Sequence, residues 1–217
     1  MLIALSSRKG VLQNIPVWGR EHMLQRSITE APQVFEASKY LAINGLIQDP
    51  LLLTAHRYAL LQAQVGSMAI DDPQVPNTPS SYGDPLMETL LELLCPNVEQ
   101  MTGLDLYPTY SYFRVYKNND ELKPHLDRPS CEISVTLNLG FKAPEPWPLC
   151  FRAGKIATQV DLHPGDAIVY RGCDIVHWRN SFVGEYNAQV FLHYVDQNGP
   201  CAEWKYDKRS RLGVLRT

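Results

Sequence analysis

Glu132-Ile133-Ser134-Val135-Thr136-Leu137-Asn138-Leu139 alternates polar and apolar residues without a break. Successive side chains of a strand point to opposite faces, so Ile133, Val135, Leu137 and Leu139 share one face and Glu132, Ser134, Thr136 and Asn138 the other. The apolar face is core, and the polar face lines something wet. Just upstream, Tyr110-Ser111-Tyr112-Phe113-Arg114-Val115-Tyr116 is aromatic and β-branched, as strands prefer. Further strands are expected at residues 149–152, 156–160, 167–171, 174–178 and 188–195, separated by turns such as Pro164-Gly165-Asp166.

The first hundred residues read differently. Asp49-Pro50 and Asp84-Pro85 each place a helix-capping side chain before a proline at the first helical position. After Asp84, the residues Leu86, Met87, Leu90, Leu91, Leu93 and Leu94 recur at helical spacing, predicting a helix that ends at Pro96. A shorter helix is expected from near Pro32 to near Gly45. Between the two, residues 71–83 are rich in proline, serine and aspartate and read as a loop near a substrate entrance. Helices followed by many short strands predict a mainly β protein with flanking helices, its core an antiparallel jelly roll of cupin-like type. The expected organisation is one domain: residues 1–105 as helical support, 106–197 as the barrel and 198–217 as a tail.

Composition narrows the class. A chain of 217 residues, 45% apolar, builds one buried core. Its 20 Lys and Arg against 23 Asp and Glu leave a net charge of −3, which supplies no general field for a phosphate backbone, so no nucleic-acid partner is expected. Five cysteines without a Cys-x-x-Cys pair suit a reduced, cytoplasmic setting. Residues 1–9 hold an apolar run too short for a signal peptide, and no stretch approaches a membrane span.

Three residues suggest chemistry. Iron(II) that activates oxygen needs ligands on one side and open positions on the other, a need that two imidazoles and one carboxylate meet. On a strand, His125 and Asp127 would project to the same side. His177, within Ile175-Val176-His177-Trp178 on a late strand, completes the set. His193 reads as a hydrogen-bonded core residue. His22, His56 and His163 fall outside the pattern.

The order of a tyrosine-bearing strand, His125-x-Asp127, the alternating strand, Pro164-Gly165-Asp166, His177 and a last strand resembles the double-stranded β-helix of the 2-oxoglutarate and iron(II)-dependent oxygenases, in the layout of the prolyl 4-hydroxylase-like branch. The resemblance covers residues 112–195. It implies Fe(II), 2-oxoglutarate and O₂ as cofactor and co-substrates, and hydroxylation of an unactivated C–H bond of an amino acid, peptidyl residue or small metabolite, with succinate and CO₂ released. An aspartate at the carboxylate position favours hydroxylation over halogenation. The resemblance also assigns Tyr116 and Thr136 to contact with the co-substrate.

One departure stands out. The resemblance calls for a cation about ten residues after the distal histidine, to grip the far carboxylate of 2-oxoglutarate. Here residues 185–189 are Glu-Tyr-Asn-Ala-Gln. Replacement cations on the strands are Arg179, first because it is two residues beyond His177, then Arg114, Arg152 and Lys142. Arg128 and Trp178, beside the ligands, are candidates for the pocket rim. Two other readings stay open: a cupin-like metalloenzyme that does not use 2-oxoglutarate, and a non-catalytic binding barrel. The sequence specifies neither the substrate nor the oligomeric state.

Overall fold

A computed structural model describes residues 17–18, 24–153 and 156–214 of the chain; the stretch read at residues 1–9 and the last three residues of the tail lie outside them. Helices α1 (Leu24–Ser38), α2 (Leu51–Gln64) and α3 (Pro85–Thr102) all belong to the first 105 residues. The strands are β1 (Val17–Trp18), β2 (Tyr40–Ile43), β3 (Ser80–Tyr82), β4 (Leu106–Lys117), β5 (Leu122–His125), β6 (Ile133–Lys142), β7 (Leu149–Ala153), β8 (Ile156–Val160), β9 (Ala167–Arg171), β10 (Val176–Arg179) and β11 (Tyr186–Asp196).

They form two sheets, a seven-stranded one in the order β1-β2-β9-β6-β11-β4-β3 and a four-stranded one in the order β5-β10-β7-β8. Apart from the short parallel pair β1 and β2, the pairing is antiparallel throughout. This is the expected jelly roll. Its helices cover the outer face of the large sheet: Phe35, Leu90, Leu91 and Leu94 share one apolar cluster with Val135, Leu137, Val190 and Leu192. Gly140 lets α2 approach β6, because a Cβ there would lie 2.6 Å from the His56 ring. The polar face of β6 is turned inward between the sheets, where Ser134, Thr136 and Asn138 are fully buried. Asn138 Nδ2 donates to the Leu162 carbonyl at 2.7 Å.

Several boundaries differ from the sequence reading. Asp84 caps α3 as expected, Oδ1 accepting from the amides of Leu86 and Met87 at 3.0 and 3.1 Å. The helix nevertheless runs through Pro96 to Thr102 and ends on Gly103, whose φ is 72°. A proline inside a helix costs about 3 kcal/mol. Burial of Leu94 and Val98 on either side of it, about 1.5–3 kcal/mol each, offsets that cost. The helix expected between Pro32 and Gly45 is instead α1, with Pro32 in its interior, followed by β2. Residues 40–43 pair along β9, and those long-range ladder bonds outweigh local propensity. At α2 the cap position is Pro50, and Asp49 Oδ1 accepts from the Leu53 amide at 3.2 Å.

Candidate active site

His125 ends β5 and lies directly opposite His177 of β10 in the antiparallel register, with ring centroids 4.2 Å apart. Asp127 is two residues past His125 but beyond the strand, so strand alternation does not aim it. Its amide donates to the Gly172 carbonyl at 2.9 Å, which ties the segment to the loop between β9 and β10. Oδ1 of Asp127 then stands 3.5 Å from Nε2 of His125 and 3.5 Å from Nε2 of His177. One ligand atom from each residue fits within 4.8 Å of the others.

The backbone selects the tautomers. His125 Nδ1 is 2.8 Å from the Lys123 carbonyl and His177 Nδ1 is 3.0 Å from the Ile175 carbonyl. A carbonyl only accepts, so each Nδ1 carries the proton and each Nε2 keeps a lone pair facing Asp127. Burial works against ionisation of Asp127. Without a metal ion between them, a proton taken up at either Nε2 turns toward Asp127, and that hydrogen bonding and charge outweigh burial and hold the carboxyl well below the ordinary range; a bound ion would take the place of those protons. Two neutral imidazoles and one carboxylate, all hard or borderline donors, suit a divalent first-row ion.

The three residues border a cavity of about 330 Å³. Tyr110, Tyr112, Tyr116 and Phe191 give it aromatic walls, and Asp72 and Gln74 bring the proline-rich loop to its edge. Arg128 lines it as well, stacked over Tyr110 and held by Asp207 through bonds of 2.8 and 3.0 Å. Trp178 turns the other way, against Arg152.

The four candidate cations separate clearly. Arg152 stacks on Trp178 away from the cavity, and Lys142 pairs with Glu185 at the surface at 2.6 Å, so neither serves the interior. Arg114 is buried in the cavity wall and already paired with Asp72, while its Nη1 reaches the Tyr116 hydroxyl at 3.4 Å. Arg179 is also buried, inside the barrel, and no carboxylate among the described residues forms an ion pair with it. It donates to the Trp147 carbonyl and, at 2.8 Å, to Oε1 of Gln189. Burial without an anion pulls its guanidinium down to about 10.

Gln189 belongs to the stretch where the sequence pattern calls for a cation, and Arg179 reaches it from the facing sheet. Around this pair, Arg179 Nε, Gln189 Nε2, Asn138 Oδ1 and both amide atoms of Asn187 are buried without hydrogen-bond partners. On the large sheet, Gln189 lies opposite Asn138 and Arg114, and Asn187 lies opposite Tyr116. Buried polar atoms are rarely left unpaired, and each costs about 1–3 kcal/mol. The barrel therefore holds a buried polar cluster around Arg179 with hydrogen-bonding capacity to spare.

Sequence reasoning missed several contributors. Tyr170 of β9 lines the cavity, its ring 4.8 Å from that of His177 and its hydroxyl 3.3 Å from Thr136 Oγ1. Gly172 is pressed against Asp127, where an added Cβ would meet Oδ2 at 2.2 Å. Ser134 donates to Oδ2 of Asp127 at 2.9 Å and touches His193 Nδ1 at 2.9 Å. His193 is the buried, hydrogen-bonded histidine expected, held neutral because burial pushes it down to about 4. The alternation of β6 marked Ser134 as inward-facing, but nothing local connects it to residues 127, 172 and 193.

No family model and no curated protein matches the sequence. Solved structures do. A Pseudomonas putida prolyl-4-hydroxylase matches at 13% identity with a TM-score of 0.64, over 78% of this chain and 98% of that one. A Trichoplax adhaerens prolyl hydroxylase, in complex with a peptide fragment of a hypoxia-inducible factor, matches at 11% identity and 0.66, over 82% and 94%. HygX from Streptomyces hygroscopicus, with nickel, 2-oxoglutarate and hygromycin B bound, matches at 14% identity and 0.61, over 78% and 87%. The chain has the fold of the 2-oxoglutarate and iron(II)-dependent oxygenases. In this fold the His-Asp-His cluster borders the cavity, and Arg179 is buried between the two sheets two residues beyond His177 on β10. No helix among the described residues is long and apolar enough to cross a membrane.

Proposed function

We propose that the chain is an Fe(II)- and 2-oxoglutarate-dependent oxygenase that hydroxylates an unactivated C–H bond. The observation that carries this reading is the pairing, within one barrel, of a His-Asp-His cluster with a buried guanidinium that has no carboxylate partner among the described residues. Iron(II) with 2-oxoglutarate and O₂ supplies the oxidising power for C–H hydroxylation, leaving succinate and CO₂. The remaining work belongs to the chain. His125, Asp127 and His177 hold the metal by Nε2, a carboxylate oxygen and Nε2. Arg179 receives the far carboxylate of 2-oxoglutarate, with Gln189, Asn187 and Asn138 offering further polar atoms and Arg114 next along the wall. Tyr116 and Tyr170 line the cavity beside the metal ligands, with Thr136 3.3 Å behind the Tyr170 hydroxyl, and the aromatic walls give the reacting face a largely apolar surround.

The buried guanidinium of Arg179 also argues against a cupin-like enzyme without 2-oxoglutarate. A buried unpaired cation is costly, and a dicarboxylate with one end on the metal supplies the missing anion. The cavity lies near the low end of the roughly 300–1,000 Å³ usual for small-ligand sites, so the substrate presents one small group or side chain to the metal. Both a free small molecule and a peptidyl residue meet that description. Neighbours of both kinds exist, one bound to a peptide and one to hygromycin B.

The test is metal analysis followed by succinate assay. One iron(II) per chain is expected, with succinate formed only when iron, O₂ and 2-oxoglutarate are all present. His125→Ala and His177→Ala should each abolish turnover while far-UV circular dichroism stays unchanged. Full succinate formation by either variant would remove that residue from the ligand set. A folded protein that binds no divalent ion would leave the non-catalytic barrel standing.

A further inference from the structure

Asp127 has two carboxylate oxygens in unlike surroundings. Oδ1 faces both histidine Nε2 atoms, whereas Oδ2 is enclosed by Ser134 Oγ at 2.9 Å and by the space that the missing side chain of Gly172 leaves open. Ser134 Oγ also lies 2.9 Å from His193 Nδ1 and 3.1 Å from the Cys131 carbonyl. The serine has one proton to give. A carboxylate is the stronger acceptor, so that proton goes to Oδ2. His193 must then carry its proton on Nδ1 and donate it to Ser134, because two lone pairs would otherwise face each other at hydrogen-bond distance. The result is a one-way chain, His193 Nδ1–H to Ser134 Oγ–H to Asp127 Oδ2. All three elements are fixed: Ser134 and His193 are direct partners on β6 and β11, and both are buried.

We propose that Ser134 and His193 are positioning residues that occupy Oδ2 of Asp127, so that only Oδ1 is offered to the metal. This inference rests on the metal-ligand reading above. A carboxylate free to rotate could bind through both oxygens and fill a position that co-substrate or O₂ needs. The chain from His193 withholds one oxygen, and Gly172 gives that oxygen room to sit where it does.

Cobalt(II), which binds such donor sets and has a visible ligand-field spectrum, is the probe. Ser134→Ala and His193→Phe should change the spectrum of the bound ion and weaken its affinity by roughly 10- to 100-fold, the usual effect of losing an outer partner of a ligand. His193→Asn retains an N–H donor near the position of Nδ1 and should restore the wild-type spectrum. Ser134→Thr, which keeps the hydroxyl, should do the same. The proposal is overturned if Ser134→Ala binds cobalt with wild-type affinity and spectrum, or if His193→Asn behaves like His193→Phe, since the ring rather than its donor would then matter. His177→Ala separates this outcome from failure of the underlying assignment: wild-type cobalt binding by that variant would displace the metal site itself.

Discussion

Arg179 holds a buried charge with which no carboxylate among the described residues pairs, and its neighbours carry unpaired polar atoms. A hydrogen bond involving a charged group is worth about 1.5–3 kcal/mol. Arg179→Gln should therefore raise the KM for 2-oxoglutarate ten- to a hundredfold, measured by succinate release, while cobalt affinity in the absence of co-substrate stays as it was. An unchanged KM, with the loss appearing in Arg114→Gln instead, would move the anchor to the large sheet. Gly172 makes the opposite kind of demand, for space. Its Cβ would fall 2.2 Å from Asp127 Oδ2 and 2.5 Å from the Cys131 carbonyl, so even alanine must displace the carboxylate or the loop. A displacement of about 1 Å can cost roughly 100-fold in rate. Gly172→Ala should show a loss of that order in kcat/KM together with weaker cobalt binding, and wild-type values for both would deny the contact any role.

Among the elements, the C-terminal segment does more than trail from the barrel. Arg209 is buried against Glu88 of α3, donates to the Thr109 carbonyl at 2.9 Å and holds the Val214 carbonyl at 2.9 Å. Just before it, Tyr206, Asp207 and Lys208 adopt φ of 54°, 55° and 62°, a left-handed run costing about 1–2 kcal/mol per residue. What that conformation delivers is the Asp207 carboxylate, bonded to Arg128 in the cavity wall and to the Tyr82 hydroxyl at 2.6 Å. Breaking a buried ion pair from one side costs about 3–5 kcal/mol. Arg209→Ala should accordingly lower Tm by roughly 10 °C, read by calorimetry. A fall of only a degree or two would show that Glu88 finds water once the arginine is gone.

For the whole molecule, the two sheets meet around buried polar groups that a bound dicarboxylate could satisfy, so on the proposed function ligand binding and folding stability are linked. A ligand at a hundred times its Kd adds about 2.7 kcal/mol. With a redox-inert divalent ion and saturating 2-oxoglutarate together, Tm should rise by roughly 5–10 °C, and the increment due to 2-oxoglutarate should vanish in Arg179→Gln. Equal stabilisation of wild type and variant would place the dicarboxylate elsewhere.

Legible in the sequence were most of the barrel strands after residue 106, the helix cap at Asp84 and the inward face of β6. These are local matters: alternation and capping are set by neighbours a few residues away. The candidate set His125, Asp127 and His177 could be picked out by residue type and order along the chain, and the fold brings the three together. Tertiary structure decided the rest. Residues 40–43 became a strand only because β9 lies beside them, and α3 passed Pro96 because its buried face continued. Asp127 is aimed by a backbone bond to Gly172, not by strand alternation. Arg179 reaches Gln189 from the opposite sheet, ten positions earlier in the chain. Such contacts join residues whose separation in sequence carries no information about their separation in space, and the free energy of burying a charge exists only once the sheets have closed around it.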